Sequence, residues 1–161
     1  MSTSKTGLTS LIPLLTSFRG RISRKSWWIG YIIMFFGSLL GTALLNPEFF
    51  TAEQIPPSSW PDTIWQLAWL IPGTAITVKR LNDRDWPWWP GYVVGALIAF
   101  LYLAPHFGLQ IDPQASGMGR VLFGVLAVLL LLVFVDNGFN SGTDGPNRYG
   151  PDPLQRSLGT P

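Results

Sequence analysis

The chain has 161 residues, of which only 12% are charged and 47% hydrophobic, with 8 Trp and 10 Phe. A soluble domain carries about 25% charged residues, so this composition excludes a well-covered soluble globule and fits one domain with lipid around its waist. Zero cysteines and one histidine, His106, exclude disulfides, thiolate metal sites, cysteine nucleophiles and multi-histidine metal centres.

Residues 1–26 read as a basic cytoplasmic lead-in, with no cleavable signal peptide. Leu8, Leu11, Ile12, Leu14, Leu15 and Phe18 suit a short interfacial helix interrupted by Pro13, and a flexible tail is the competing reading for residues 1–10. Arg21, Arg24, Lys25 and Trp28 would share one helical face, placing positive charge and an aromatic belt at the membrane edge. Residues 27–45 form a first uncharged span, about 28 Å long at 1.5 Å per residue. Within it Gly37 and Gly41 make a small-xxx-small pair that favours close approach of another helix.

Residues 46–62 form a loop with Glu48, Glu53 and Asp62 and no Lys or Arg. A second span covers about 63–78, and Pro72-Gly73 should kink or unwind it. The middle loop, Lys79 to Trp89, places Lys79, Arg80, Asp83, Arg84 and Asp85 beside Trp86, Trp88 and Trp89. Spans at about 86–104 and 120–137 follow, separated by an outer loop without Lys or Arg. The uncharged run Val121 to Val135 is short, and extending it to Phe139 brings Asp136 to the inner interface. Residues 140–161 form a polar tail rich in Gly and Pro.

Ten of the eleven basic residues fall on one side of this arrangement: Lys5, Arg19, Arg21, Arg24, Lys25, Lys79, Arg80, Arg84, Arg148 and Arg156. Only Arg120 falls on the other. The positive-inside rule then predicts an all-α polytopic membrane protein, a bundle of four transmembrane helices with both termini cytoplasmic. A three-span arrangement is the alternative, with the second or fourth apolar run lying in the interface. Topology also accounts for the net charge of +2 and pI of about 9.2 without nucleic acid.

Three stretches carry a resemblance. They are Phe18-x-Gly20-Arg21-x-Ser23-Arg24-x-x-x-Trp28, Arg80-Leu81-x-Asp83 with Trp88-Trp89, and Gly142-Thr143-x-Gly145-x-Asn147-Arg148-Tyr149-Gly150-Pro151-Asp152-Pro153. This pattern resembles the bacterial inner-membrane family known as domain of unknown function 805, over about residues 15–154. The resemblance implies an integral inner-membrane protein and no particular activity. Family members often carry His where this chain has Asn82, and an acidic residue where it has Ser26.

All three motifs fall on one side, so Arg21, Arg24, Arg80, Asp83, Arg84, Asn147, Tyr149 and Asp152 are expected to converge at the cytoplasmic mouth of the bundle. In a structural arrangement, Asp83 or Asp152 pairs with Arg21, Arg24 or Arg80 and the tail caps the helices. A functional alternative is a site for an anionic lipid headgroup, and a third is a docking face for a membrane or cytoplasmic protein. The Gly-rich stretch 138–150 lacks the strand–loop–helix context and the Lys-Ser/Thr of a nucleotide loop. No nucleophile–base pair, metal cluster or cofactor motif stands out, which favours a non-enzymatic interaction or assembly role. A small transporter or channel is the alternative, and a lipid-modifying enzyme the next. The latter requires a headgroup pocket with a carboxylate that has no arginine partner.

Overall fold

The computed structural model describes residues 7–52, 59–109 and 117–154. Five α-helices follow one another: α1 (Gly7–Thr16), α2 (Arg24–Leu45), α3 (Trp60–Asp83), α4 (Trp89–Leu103) and α5 (Gly117–Phe139). Short 3-10 turns at Pro47–Phe50 and Ala104–Phe107 follow α2 and α4. Among the described residues there is no β-strand, only an isolated bridge between Asn147 and Gly150. Residues 53–58 and 110–116, which belong to the two loops expected on the outer side, and residues 1–6 and 155–161 lie outside the described residues.

Among the described residues three helical stretches are long and apolar enough to cross a membrane: Arg24–Leu45, Trp89–Phe107 and Gly119–Phe139. The fourth long helix, α3, has 24 residues, about 36 Å at 1.5 Å per residue. Its charges, Asp62, Lys79, Arg80 and Asp83, sit at its two ends and lower its average hydropathy. The middle of α3 is uncharged.

Helix α3 is the axis, packing against every other helix. The glycines show how. Trp65 and Trp69 of α3 lie on Gly41 and Gly37 of α2, where a Cβ would overlap the indole rings, and Trp65 Nε1 donates to Gly37 O at 3.1 Å. The small-xxx-small pair therefore receives two tryptophans rather than a closely approaching backbone. On the far side of α3, Gly95 of α4 admits Thr74, and Gly91 admits Val78. Pro72 sits inside α3 without ending it. It removes one amide donor, and the helix runs on where unwinding is expected from sequence, because neighbouring helices hold both sides.

Helix α5 is attached mainly at its C-terminal end, where Phe134 and Phe139 pack on Trp27, Trp28 and Tyr31. Nothing lies within 4 Å of a Cβ built on Gly117 or Gly124. A chamber of about 830 Å³ results between α2, α3, α4 and α5. The outward apolar residues of α2, α4 and α5, such as Phe36, Leu44, Val93, Val121 and Leu132, are exposed. Lipid is the solvent that suits such a surface.

Several element limits differ from those the sequence suggests. The charged middle segment is mostly helix: α3 continues to Asp83, so Lys79, Arg80 and Asp83 are helical and buried. The loop proper is Arg84 to Trp88, turned by Asp85 at φ 58, with Arg84 N and Trp86 N both bonded to Leu81 O. Helix α4 accordingly starts at Trp89, not Trp86. Helix α5 has 23 residues, so the fourth apolar run is not short. Arg21 precedes α2 instead of sharing a helical face with Arg24, because Ser23 is the N-cap and accepts from Ser26 N. Trp27 is no belt residue: it is 2% exposed and packs with Ile22 and Ile76.

Candidate functional site

The basic residues gather at one end of the bundle, where three helix C-termini meet. Each C-terminus leaves backbone carbonyls without intrahelical partners and carries partial negative charge. The sequence supplies cations and donors to meet them. The C-terminus of α1 receives Lys79 Nζ, which donates to Pro13 O at 2.9 Å and to Leu14 O.

The C-terminus of α5 is capped from two other helices. Arg80 Nε donates to Asn137 O at 2.9 Å, Trp28 Nε1 to Gly138 O at 3.1 Å and Arg24 to Phe139 O at 3.0 Å. A second nitrogen of Arg80 donates to Asn140 O. Arg24 thus serves α5 rather than Asp83.

The C-terminus of α3 is capped by the tail. Thr143 donates to Asp83 O through its amide at 2.8 Å and its hydroxyl at 3.1 Å. Asn147 Nδ2 donates to Asn82 O at 2.9 Å. Tyr149 folds back so that its hydroxyl donates to Trp86 O at 2.8 Å. Farther out, exposed Arg148 pairs with Asp85 at 3.0 Å.

Asp83 stands at the centre. One carboxylate oxygen accepts from Arg21 Nε at 3.0 Å and the other from Arg80. The side chains of Arg21, Arg80 and Asp83 are 1%, 0% and 4% exposed, so the group is removed from water. Two guanidiniums against one carboxylate leave an excess positive charge, which backbone carbonyls absorb. Arg21 donates to Thr143 O and Gly145 O at 2.7 Å each and to Gly150 O at 3.3 Å. Every nitrogen of both guanidiniums has an acceptor.

The tail glycines follow from this geometry. A Cβ on Gly142 would overlap the Asp83 carboxylate, while Gly145 and Gly150 hold φ values of 72° and 135°, which favour glycine. Asp152 fastens the same turn, accepting from Gly145 N at 3.4 Å and Leu154 N at 2.9 Å. A gap of about 20 Å³ beside Arg80, Asp83 and Asp152 has room for about one water.

Of the residues singled out from sequence, Arg21, Arg80, Asp83, Asn147 and Tyr149 thus come together directly. Arg84 turns away and pairs with Asp136 at 2.7 Å, which supplies the cation that a carboxylate at that depth needs. The Asn82 side-chain amide, one residue before Asp83, donates to Gly20 O at 3.1 Å. Ser26 occupies the third helical position of α2, where an acidic side chain would complete a capping box, and its hydroxyl lies 3.1 Å from that of Ser23.

Sequence reasoning missed a second polar group at the opposite end. Ser38 donates to Gln66 at 2.5 Å, Gln66 donates to Thr42, and Thr42 donates to Asp62 at 3.2 Å. Nearby, Thr63 is bonded to His106 Nε2 at 2.7 Å, and Trp60 stacks on the imidazole. The matching four-residue spacings of Ser38–Thr42 and Asp62–Gln66 were the available signal. Among the described residues no group of three or more His, Cys, Asp or Glu side chains could hold a metal ion.

Comparison with known proteins finds relatives named as inner membrane proteins. The chain is 28% identical over 138 residues to the uncharacterized protein YiiR of Escherichia coli, covering 86% of each chain. It is also 28% identical to the inner membrane protein YhaH, over 84% of this chain and 86% of that one. With the inner membrane protein YhaI it shares 26% identity over 89% and 92% of the respective chains. No solved structure matches. The family described as "Protein of unknown function (DUF805)" matches residues 15–151, a stretch that contains the α2 N-cap, the Arg80–Asp83 pair and the tail turn through Gly150, and the chain belongs to that family.

Proposed function

We propose that this chain is a four-span protein of the bacterial inner membrane with both termini cytoplasmic, serving as a non-enzymatic assembly component. Its basic end is a fixed surface on which a membrane or cytoplasmic protein docks. The relatives named as inner membrane proteins support the location. The ten-to-one distribution of basic residues supports the orientation.

The observation that carries the role is the engagement of Arg21 and Arg80. Every one of their nitrogens already has an acceptor, Asp83 or a backbone carbonyl, and the adjacent gap admits about one water. An anion pocket needs free donors, so the geometry favours a clasp that makes the face rigid. What the face offers outward is Trp86, Trp88 and Trp89, each about half exposed. Exposed Arg24 and Lys25 flank α2 and would add about 1 kcal/mol each of attraction to anionic headgroups. A channel is disfavoured because the large chamber is not lined by Asp136.

Two experiments test this. Single cysteines at positions 5, 53, 112 and 156 can be labelled from either side, since the chain has no native cysteine. Labelling at 53 and 112 from outside supports four spans, and external labelling at 5 or 156 overturns the orientation. A photo-crosslinking residue at Trp88 in native membranes should give protein adducts that disappear when Asp83 is replaced. Lipid adducts alone, unchanged by that replacement, overturn the docking role.

A further inference from the structure

The chamber between the helices is not uniformly apolar. Its walls are formed by residues such as Trp27, Met34, Ile76, Ile98, Leu130 and Phe134, yet one end carries Asp62 with Gln66 and Thr42. Asp62 is 5% exposed. Among the described residues no Lys, Arg or His forms an ion pair with it. In the sequence, residues 53–58 and 110–116 contain no basic residue, and His106 Nε2 is bonded to Thr63.

A carboxylate withdrawn from water is costly unless it meets a cation or a set of donors. Among the described residues the Asp62 side chain accepts only from neutral donors, Thr42 at 3.2 Å and Gln66 at 3.5 Å, and the positive charge it meets is the partial charge of the α3 N-terminus, in whose first turn it lies. An ionisable group inside a membrane bundle is by default a functional position whose partner has to be identified. At the basic end Asp83, Asp85 and Asp136 each face an arginine and Asp152 fastens the tail turn. Asp62 instead faces a space large enough for a ligand.

We infer that the chamber binds an amphiphile with an ammonium head, the head at Asp62 and the alkyl chain running toward Trp27 and Ile76. Length supports this: Thr42 and Trp27, both lining the chamber, are fifteen positions apart on α2, about 22 Å at 1.5 Å per residue. The aromatic residues Trp69 and Tyr102 line the same chamber and suit an ammonium through their ring faces. An anionic head would meet Asp62 with like charge, and a neutral head would leave the carboxylate without a cation. The ammonium could come from an aminophospholipid of the bilayer or from a free lipophilic amine.

The test uses the full chain purified in maltoside micelles and native mass spectrometry. The probes are dioleoyl phosphatidylethanolamine, dioleoylglycerol, dodecylamine and dodecanol. The expected result is one competitive site that retains each amine at least about tenfold more tightly than its neutral counterpart. Asp62→Asn should abolish that preference. Tighter retention of phosphatidylethanolamine supports a bilayer lipid as the ligand, and tighter retention of dodecylamine supports a free amine. Ile98→Trp, which leaves Asp62 intact and narrows the chamber, should weaken dodecylamine retention, so the inference stays testable if the Asp62 variant does not fold. Dodecanol retained as tightly as dodecylamine, an amine preference surviving Asp62→Asn, or full dodecylamine retention by Ile98→Trp overturns the inference.

Discussion

Replacing Asp83 with alanine strikes the centre of the clasp. The substitution removes the carboxylate that Arg21 and Arg80 share while leaving both guanidiniums buried. Each lost charged hydrogen bond contributes about 1.5–3 kcal/mol, and breaking one side of a buried pair costs about 3–5 kcal/mol. The carbonyl contacts of Arg21 at Thr143 and Gly145, and of Arg80 at Asn137, remain and soften the loss. We therefore expect a destabilisation of about 3 kcal/mol. At roughly 2–4 °C per kcal/mol for a chain of this size, the midpoint of thermal unfolding in detergent should fall by roughly 6–12 °C. Arg148→Ala is the control, since its pair with Asp85 is about half exposed and such pairs contribute less than about 1 kcal/mol. A double-mutant cycle with Arg21→Ala should give a coupling above about 0.5 kcal/mol. If Asp83→Ala unfolds within error of Arg148→Ala, the arginines do not depend on Asp83 and the reasoning fails.

Three further outcomes follow from the same contacts. Gly142→Ala should lower the unfolding midpoint, by the equivalent of about 1–3 kcal/mol of overpacking, because its methyl overlaps the Asp83 carboxylate, while Gly124→Ala, inside α5 and facing open space, should raise it by the equivalent of up to about 1 kcal/mol of helix propensity. Gly41→Leu should disrupt the α2–α3 interface by displacing Trp65, seen as a shift in tryptophan emission together with a lowered midpoint. Asp85→Val places a β-branched residue at φ 58 and should cost about 1–2 kcal/mol by thermal unfolding, whereas Asp85→Asn should cost less, since Asn tolerates that conformation.

The long apolar helices, and the proximity of Arg21, Arg80 and Asp83, were legible in the sequence for a physical reason. Long uncharged runs leave few alternatives in lipid, and charges near their ends have to be matched. The sequence did not show which arginine meets Asp83. Arg21 and Arg24 are equivalent by spacing, and the choice depends on Ser23 starting the helix between them. The buried state of Trp27 was hidden because a Trp-Trp pair beside basic residues has the same composition whether it faces headgroups or the aromatic cluster around Phe134. The Asp62 group escaped notice because Asp62 reads as a loop residue next to Pro61, and only the packing of the end of α2 against the start of α3 brings Thr42 to it.

The most direct test of the clasp is backbone hydrogen exchange of the tail, residues 140–150, with the full chain in lipid nanodiscs. Thr143 N is bonded to Asp83 O, and Asn147 and Gly150 exchange both of their amide bonds with each other. These amides should be protected in the parent chain and lose protection in Asp83→Ala and Arg21→Ala, while α2 and α4 stay protected. A tail that exchanges as fast in the parent chain as in the two variants would contradict the account.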